Sequence, residues 1–190
     1  MRIVAGKWAG VSLVSPGTRV RPTREEIRDG WITTLEPELA GARVLDLFAG
    51  TGALGLEALS RGAAYVDFVE NGKGALHALK ANIAKLRLSR KTRLFKKDAF
   101  LFLEGVPEWK KAESVKGPEP GERRYDIVLA DPPYTSRAAE RLADLWLERP
   151  FSRILSVEHA TDQKLPRPGK RRVFQDSTVT TYRLPKQKGS

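Results

Sequence analysis

The sequence predicts an α/β fold in which a doubly wound, mostly parallel sheet of seven strands carries an antiparallel edge, with a small N-terminal β-hairpin outside it. Three observations lead there. Apolar runs alternate with helix-like patterns from Val44 to Glu158, as strand–helix–strand crossovers require. The first run, Val44-Leu45-Asp46-Leu47-Phe48-Ala49, stops at Gly50, Gly52 and Gly55, a G-x-G-x-x-G spacing that opens a helix. The last two runs, Arg171 to Gln175 and Val179 to Leu184, are joined by Asp176-Ser177-Thr178 alone, which suits an antiparallel pair.

A chain of 190 residues suits one domain and is too short for two ordinary ones. We divide it into a hairpin extension, 1–20, and a main domain, 21–190. No apolar run approaches the roughly twenty residues of a membrane span, and the N-terminus lacks a signal-peptide core, so a cytoplasmic protein is expected. A monomer is expected as well. The formal charge of +11 favours a polyanionic partner, nucleic acid first, because Lys and Arg displace counterions from phosphates. With no cysteine, thiolate metal sites and cysteine nucleophiles are excluded, and two histidines give little support to metal chemistry. No metal is expected.

In chain order, Arg2 to Val4 and Val11 to Val14 read as hairpin arms around a basic, aromatic tip. There Lys7 can meet a phosphate and Trp8 can stack on a base, or Trp8 can pack the hairpin onto the domain. A basic loop with Arg19 and Arg21 leads to Thr23, which with Glu26 makes a capping box. Ile27, Trp31, Ile32 and Leu35 then share one helical face, and Pro37 closes the element. Gly50 and Gly52 permit a tight turn, Gly55 lets the helix Ala53 to Arg61 lie close on the sheet, and the helix N-terminus offers free amides. Asp46, a carboxylate inside an apolar strand, needs hydrogen-bond partners.

The second strand, Tyr65 to Glu70, ends about twenty residues past the first glycine, where a ribose-binding carboxylate belongs. Leu76, Leu79, Ile83 and Leu86 mark the next crossover helix, and Arg93 to Lys96 a third strand ending near Asp98. Prolines, glycines and charges make Glu104 to Arg124 a surface loop. Tyr125 to Ala130 is a buried strand that delivers Asp131-Pro132-Pro133-Tyr134 to the edge holding Glu70 and Asp98. Arg137 to Leu147 is an amphipathic helix and Ile154 to Glu158 a fifth strand.

The turn Asp131-Pro132-Pro133-Tyr134 carries the most information. Two prolines remove two backbone donors, so the turn presents carbonyl oxygens and a carboxylate, acceptors suited to a planar amine. Tyr134 can stack on the ring bearing that amine.

In this order, D-L-F-A-G-T-G-A-L-G, Glu70, Asp98 and D-P-P-Y resemble the S-adenosylmethionine-dependent amino methyltransferases of nucleic acids, a Rossmann-like fold. The segments R-I-V-A-G-K-W-A-G, R-P-T, G-L-E-A-L-S-R-G-A and V-E-H further resemble the bacterial RsmD-type enzymes, which methylate a guanine N2 of small-subunit (16S) ribosomal RNA. Departures are Asn71 where Asp is more usual, an unusual first long helix and a longer 104–124 loop.

The resemblance implies that Asp46, Phe48, Ala49, Gly50, Thr51 and Gly52 hold the methionine end of S-adenosylmethionine. Glu70 with Asn71 would take the ribose, and Asp98 with Ala99 the adenine. Thr23 would close over the cofactor. Arg2, Lys7, Trp8, Arg19 and Arg21 would meet the RNA, free or in an assembling 30S particle. Asp131, Pro132, Pro133 and Tyr134 would be catalytic in a direct methyl transfer. A nicotinamide-dependent oxidoreductase would also use the glycine turn and Glu70 but leaves D-P-P-Y unexplained. An adenine N6 methyltransferase would use the same acceptor turn, and a non-catalytic RNA-binding protein could share the scaffold.

Overall fold

The computed structural model describes residues 1–15, 25–109, 124–175 and 177–185. Seven strands form one sheet: β1 Arg43–Leu47, β2 Tyr65–Glu70, β3 Thr92–Lys96, β4 Tyr125–Ala130, β5 Ser152–His159, β6 Lys170–Val173 and β7 Thr178–Arg183. Their order is β3-β2-β1-β4-β5-β7-β6. The first five run parallel, while β7 lies antiparallel between β5 and β6. The chain begins in the middle, winds outward through β2 to β3, and returns to β4 on the other flank of β1. That reversal makes β1 and β4 the switch point, where open α/β sheets bind ligands.

Strands buried on both faces read as continuous apolar runs, and all five residues of β1 are buried. Val44, Val66, Phe68, Ile127 and Leu129 face one core, shared with helices α1 Glu25–Thr33, α2 Glu36–Leu39, α3 Ala53–Ser60 and α4 Lys73–Lys85. Leu45, Leu47, Val69, Val128 and Ala130 face the other, shared with α5 Ala99–Leu103 and α6 Ala138–Glu148. The fully buried Trp31 carries α1 across the sheet, and its indole donates to Ser156 Oγ of β5 at 2.7 Å.

Some expectations change in detail. Pro37 lies in the first turn of α2, a position that needs no N–H, and so starts a short helix rather than closing the long one. The expected hairpin has a single antiparallel bridge, Arg2 to Ser12, and a 3-10 turn, Gly6–Trp8, at its tip. The arms are joined by Ile3 N–H to Val11 O, Gly10 N–H to Ile3 O and Leu13 N–H to Met1 O, while the fully buried Glu57 carboxylate on α3 accepts the Val4 and Ala5 amides at 2.8 and 2.9 Å and docks the extension on the helix. Arg61 at 2.7 Å and Arg28 at 3.4 Å balance its charge. Ile3 and Leu13 place the extension in the first core. The capping box at Thr23 and most of the 104–124 loop lie outside the described residues.

Candidate active site

Parallel register aligns Leu47 with Val69 and Ala130, Val69 with Phe95, and Ala130 with Val157. The next residue on each strand therefore belongs to one row at the C-terminal edge: Lys96, Glu70, Phe48, Asp131 and Glu158. The two sequence motifs, over eighty residues apart in the chain, meet there on adjacent strands.

The glycine turn is built from left-handed backbone. Phe48 has φ 57°, an uncommon conformation for an aromatic residue, and Gly50 and Gly52 have φ 55° and 79°. A Cβ on Gly52 would lie 2.3 Å from Leu79, so packing demands glycine there; one on Gly50 would meet nothing nearer than the Phe48 carbonyl at 4.0 Å. Gly50 thus fronts open space, into which a polar ligand group can approach the backbone. A Cβ on Gly55 would come within 2.5 Å of Phe68 and 2.9 Å of Asp46, which is why α3 can lie so close to the sheet.

The carboxylates of this edge are held by amides. Asp46 is 1% exposed and accepts the Gly55 N–H at 2.9 Å. Burial pushes its carboxyl well above the usual range; the Gly55 amide opposes this, and Asp131 and Glu70 reinforce it. Glu70 accepts Gly50 N–H at 2.8 Å through one oxygen, and Asn71 and Gly72 N–H at 2.9 and 2.6 Å through the other. It therefore fastens the glycine turn to the end of β2. Asp98 accepts the Phe100 and Leu101 amides at 2.9 and 3.1 Å, the N-cap of α5. Ala99 is buried behind it and Asn71 is exposed. Phe48 meets Phe100 edge-on at 6.2 Å, and the Arg141 guanidinium covers Phe100 at 3.9 Å.

Thr51 is buried, and its side chain turns to the N-terminal extension, where the hydroxyl contacts the Met1 sulfur at 3.8 Å. Its carbonyl accepts from Asn82 Nδ2 at 3.0 Å.

In the acceptor turn Pro132 is buried, Pro133 exposed, and Asp131 and Tyr134 partly buried. The Pro133 carbonyl is not available as expected: Ser136 takes it with its N–H at 3.0 Å and its hydroxyl at 2.7 Å. The Tyr134 hydroxyl donates to Glu158, and burial followed by the neighbouring Glu158 carboxylate raises its pKa.

Of the expected RNA contacts, Arg2 is paired with Glu25, its Nε 3.1 Å from the carboxylate, and Trp8 packs partly buried against the first core with Lys7 5.3 Å over its ring. Thr23, Arg19 and Arg21 lie outside the described residues. Two residues of the edge had no sequence-based role. Glu158 stands in the V-E-H segment, where a carboxylate ending an apolar strand was the available signal. Asn82, fully buried on α4, bonds the Val14 amide and carbonyl as well as Thr51, and nothing in a helical pattern announces it.

The relatives make this chain a methyltransferase whose cofactor is S-adenosylmethionine, built on a Rossmann-like sheet with a glycine turn and an amide-held acidic edge at its switch point. The left-handed turn at Gly50, open in front, and the row of carboxylates fit that group. The chain belongs to the family described as Conserved hypothetical protein 95, the RsmD family, which matches residues 1–180. Ribosomal RNA small subunit methyltransferase D of Haemophilus influenzae is 30% identical, over 97% of this chain and 92% of its own. The enzyme of the same name from Escherichia coli K12 is 32% identical over 87% of this chain and 78% of its own. A solved structure of a hypothetical protein from Thermus thermophilus is similar at a TM-score of 0.78 and 29% identity, covering 97% of this chain and 99% of that one.

Proposed function

We propose that this chain methylates the exocyclic N2 amine of a guanine in small-subunit ribosomal RNA. The names of its relatives support the RNA, and the amine reading rests on one observation: the Asp131-Pro132-Pro133-Tyr134 turn stands in the same row as the glycine turn. Bound S-adenosylmethionine supplies an electrophilic methyl group. Asp46 orients the glycine turn, Glu70 takes the ribose hydroxyls and Asp98 with Ala99 takes the adenine.

The guanine amine is a poor nucleophile because its lone pair is delocalised into the ring. Asp131 and the Pro132 carbonyl accept its two hydrogens, draw them from the ring plane and so restore the lone pair. Asp131 takes the proton that the amine loses on methylation. Tyr134 stacks on the base, which must be unpaired or flipped to arrive. The +11 charge favours the RNA backbone and predicts an affinity that falls as salt rises. The protein works as a cytoplasmic monomer on free RNA or on an assembling 30S particle.

The test is a transfer assay with methyl-labelled cofactor on small-subunit RNA, free and in particles, followed by digestion to nucleosides. Label in N2-methylguanosine is the expected result. Label in N6-methyladenosine, or none on either substrate, contradicts the proposal.

A further inference from the structure

We infer that Glu158 is a positioning residue for methyl transfer, fixing where the Tyr134 ring, on which the target base stacks, lies in the site. The inference rests on the stacking role given to Tyr134 above. Glu158 is 2% exposed and sits one strand from Asp131 in the row that ends the parallel strands. Its backbone is held on two sides, since Glu158 pairs with Val179 of β7 while its neighbour Val157 pairs with Ala130 of β4.

Tyr134, by contrast, lies in a turn beyond the end of β4. The two prolines and the Ser136 contacts on Pro133 fix its backbone, which leaves the first side-chain torsion to decide where the ring lies. A hydrogen bond from the far end of the ring to the Glu158 carboxylate holds the ring's long axis, which sets the first torsion and so where the ring lies. A side chain held at its Cα and at its hydroxyl cannot swing, which is how a supporting residue preorganises a site. Burying a carboxylate is costly without partners, and an apolar residue would complete β5 as well. The phenol gives one oxygen of this carboxylate its donor.

Turnover on small-subunit RNA at saturating cofactor, with calorimetric titration of S-adenosylmethionine, tests this in Glu158→Ala, Glu158→Gln, Tyr134→Phe and the Tyr134→Phe/Glu158→Ala double variant. Glu158→Ala should lower kcat about tenfold or more with cofactor affinity unchanged, because misalignment of reacting groups is paid in rate. Glu158→Gln keeps an oxygen that accepts the phenol proton and should stay within about threefold of wild type. In the Tyr134→Phe background, Glu158→Ala should cost less than about twofold more, since coupled residues are not additive. Additive losses, or a Gln variant as impaired as the Ala variant, overturn the inference. Tyr134→Ala separates the two levels. Unchanged turnover there overturns the stacking role itself, whereas an impaired Tyr134→Ala beside an unimpaired Glu158→Ala overturns only the positioning.

Discussion

Toward the N-terminal ends of the strands, fully buried Asp67 accepts Nε and Nη2 of Arg93 at 2.9 and 2.6 Å and the Tyr125 hydroxyl at 2.7 Å, with Arg43 3.7 Å away. At the opposite edge, Asp46, Glu70 and Asp98 accept backbone amides. Guanidinium partners neutralise a carboxylate and lock it into the fold. Amides orient a carboxylate without supplying a countercharge, and Glu70 and Asp98, less buried than Asp46, keep lone pairs for a ligand's hydroxyl or amine groups. Acidic residues thus build a structural staple at one end of the sheet and, at the other, the amide-held edge that we propose takes the cofactor.

The largest effect that would sharpen this contrast is on stability. Asp67→Ala leaves Arg93 and Tyr125 without their acceptor and should cost about 3 kcal/mol in urea unfolding, with cofactor affinity of the folded protein unchanged. Weaker cofactor binding would mean that the two ends are coupled. Glu70→Ala should do the reverse, losing about 1.5 to 3 kcal/mol of S-adenosylmethionine affinity by calorimetry. An unchanged affinity there removes Glu70 from the ribose site. Gly55→Ala forces a methyl against Phe68, Val66 and Asp46 and should destabilise by about 1.5 kcal/mol, through overpacking beneath the glycine turn. If thermal unfolding is unmoved, the close approach of α3 is not what Gly55 provides.

The smallest effect is a pH dependence. His159 is buried at the C-terminal edge without a charge: Nδ1–H donates to the Ala160 carbonyl and Nε2 accepts from Thr180, both at 2.8 Å. Burial lowers its pKa below the ordinary 6.5, and the Ala160 hydrogen bond opposes the shift. The unfolded chain therefore takes up the proton first as pH drops. The stability this histidine contributes is present above about pH 6.5 and declines below it. Thermal midpoints of wild type should fall more steeply from pH 7.5 to 5.5 than those of His159→Gln. Parallel curves would show that His159 does not titrate on unfolding.

Much of the binding edge was legible because chain-local patterns set it. A strand run ending in glycines, a carboxylate one crossover later and a proline turn after the fourth strand each declare themselves within a dozen residues, and parallel winding brings strand ends together. The five-residue α5 escaped notice because Ala99-Phe100-Leu101-Phe102-Leu103 has no helical periodicity, although Asp98 is an N-cap that could have marked it. Partners distant in sequence were not legible. Glu57 draws the N-terminal arm onto α3 across more than fifty positions, and Asn82 joins Val14 to Thr51. Ser136 withdraws the Pro133 carbonyl through a turn geometry that the prolines alone do not dictate.

The division of the edge into amide-held carboxylates for the cofactor and a proline turn for the amine is tested most directly by Asp131→Ala, assayed for turnover on small-subunit RNA and titrated with S-adenosylmethionine. Asp131 acts as charge develops on the nitrogen, so kcat should fall roughly a hundredfold or more while cofactor affinity stays near wild type. Near wild-type turnover, or joint loss of cofactor binding and activity, would contradict that division.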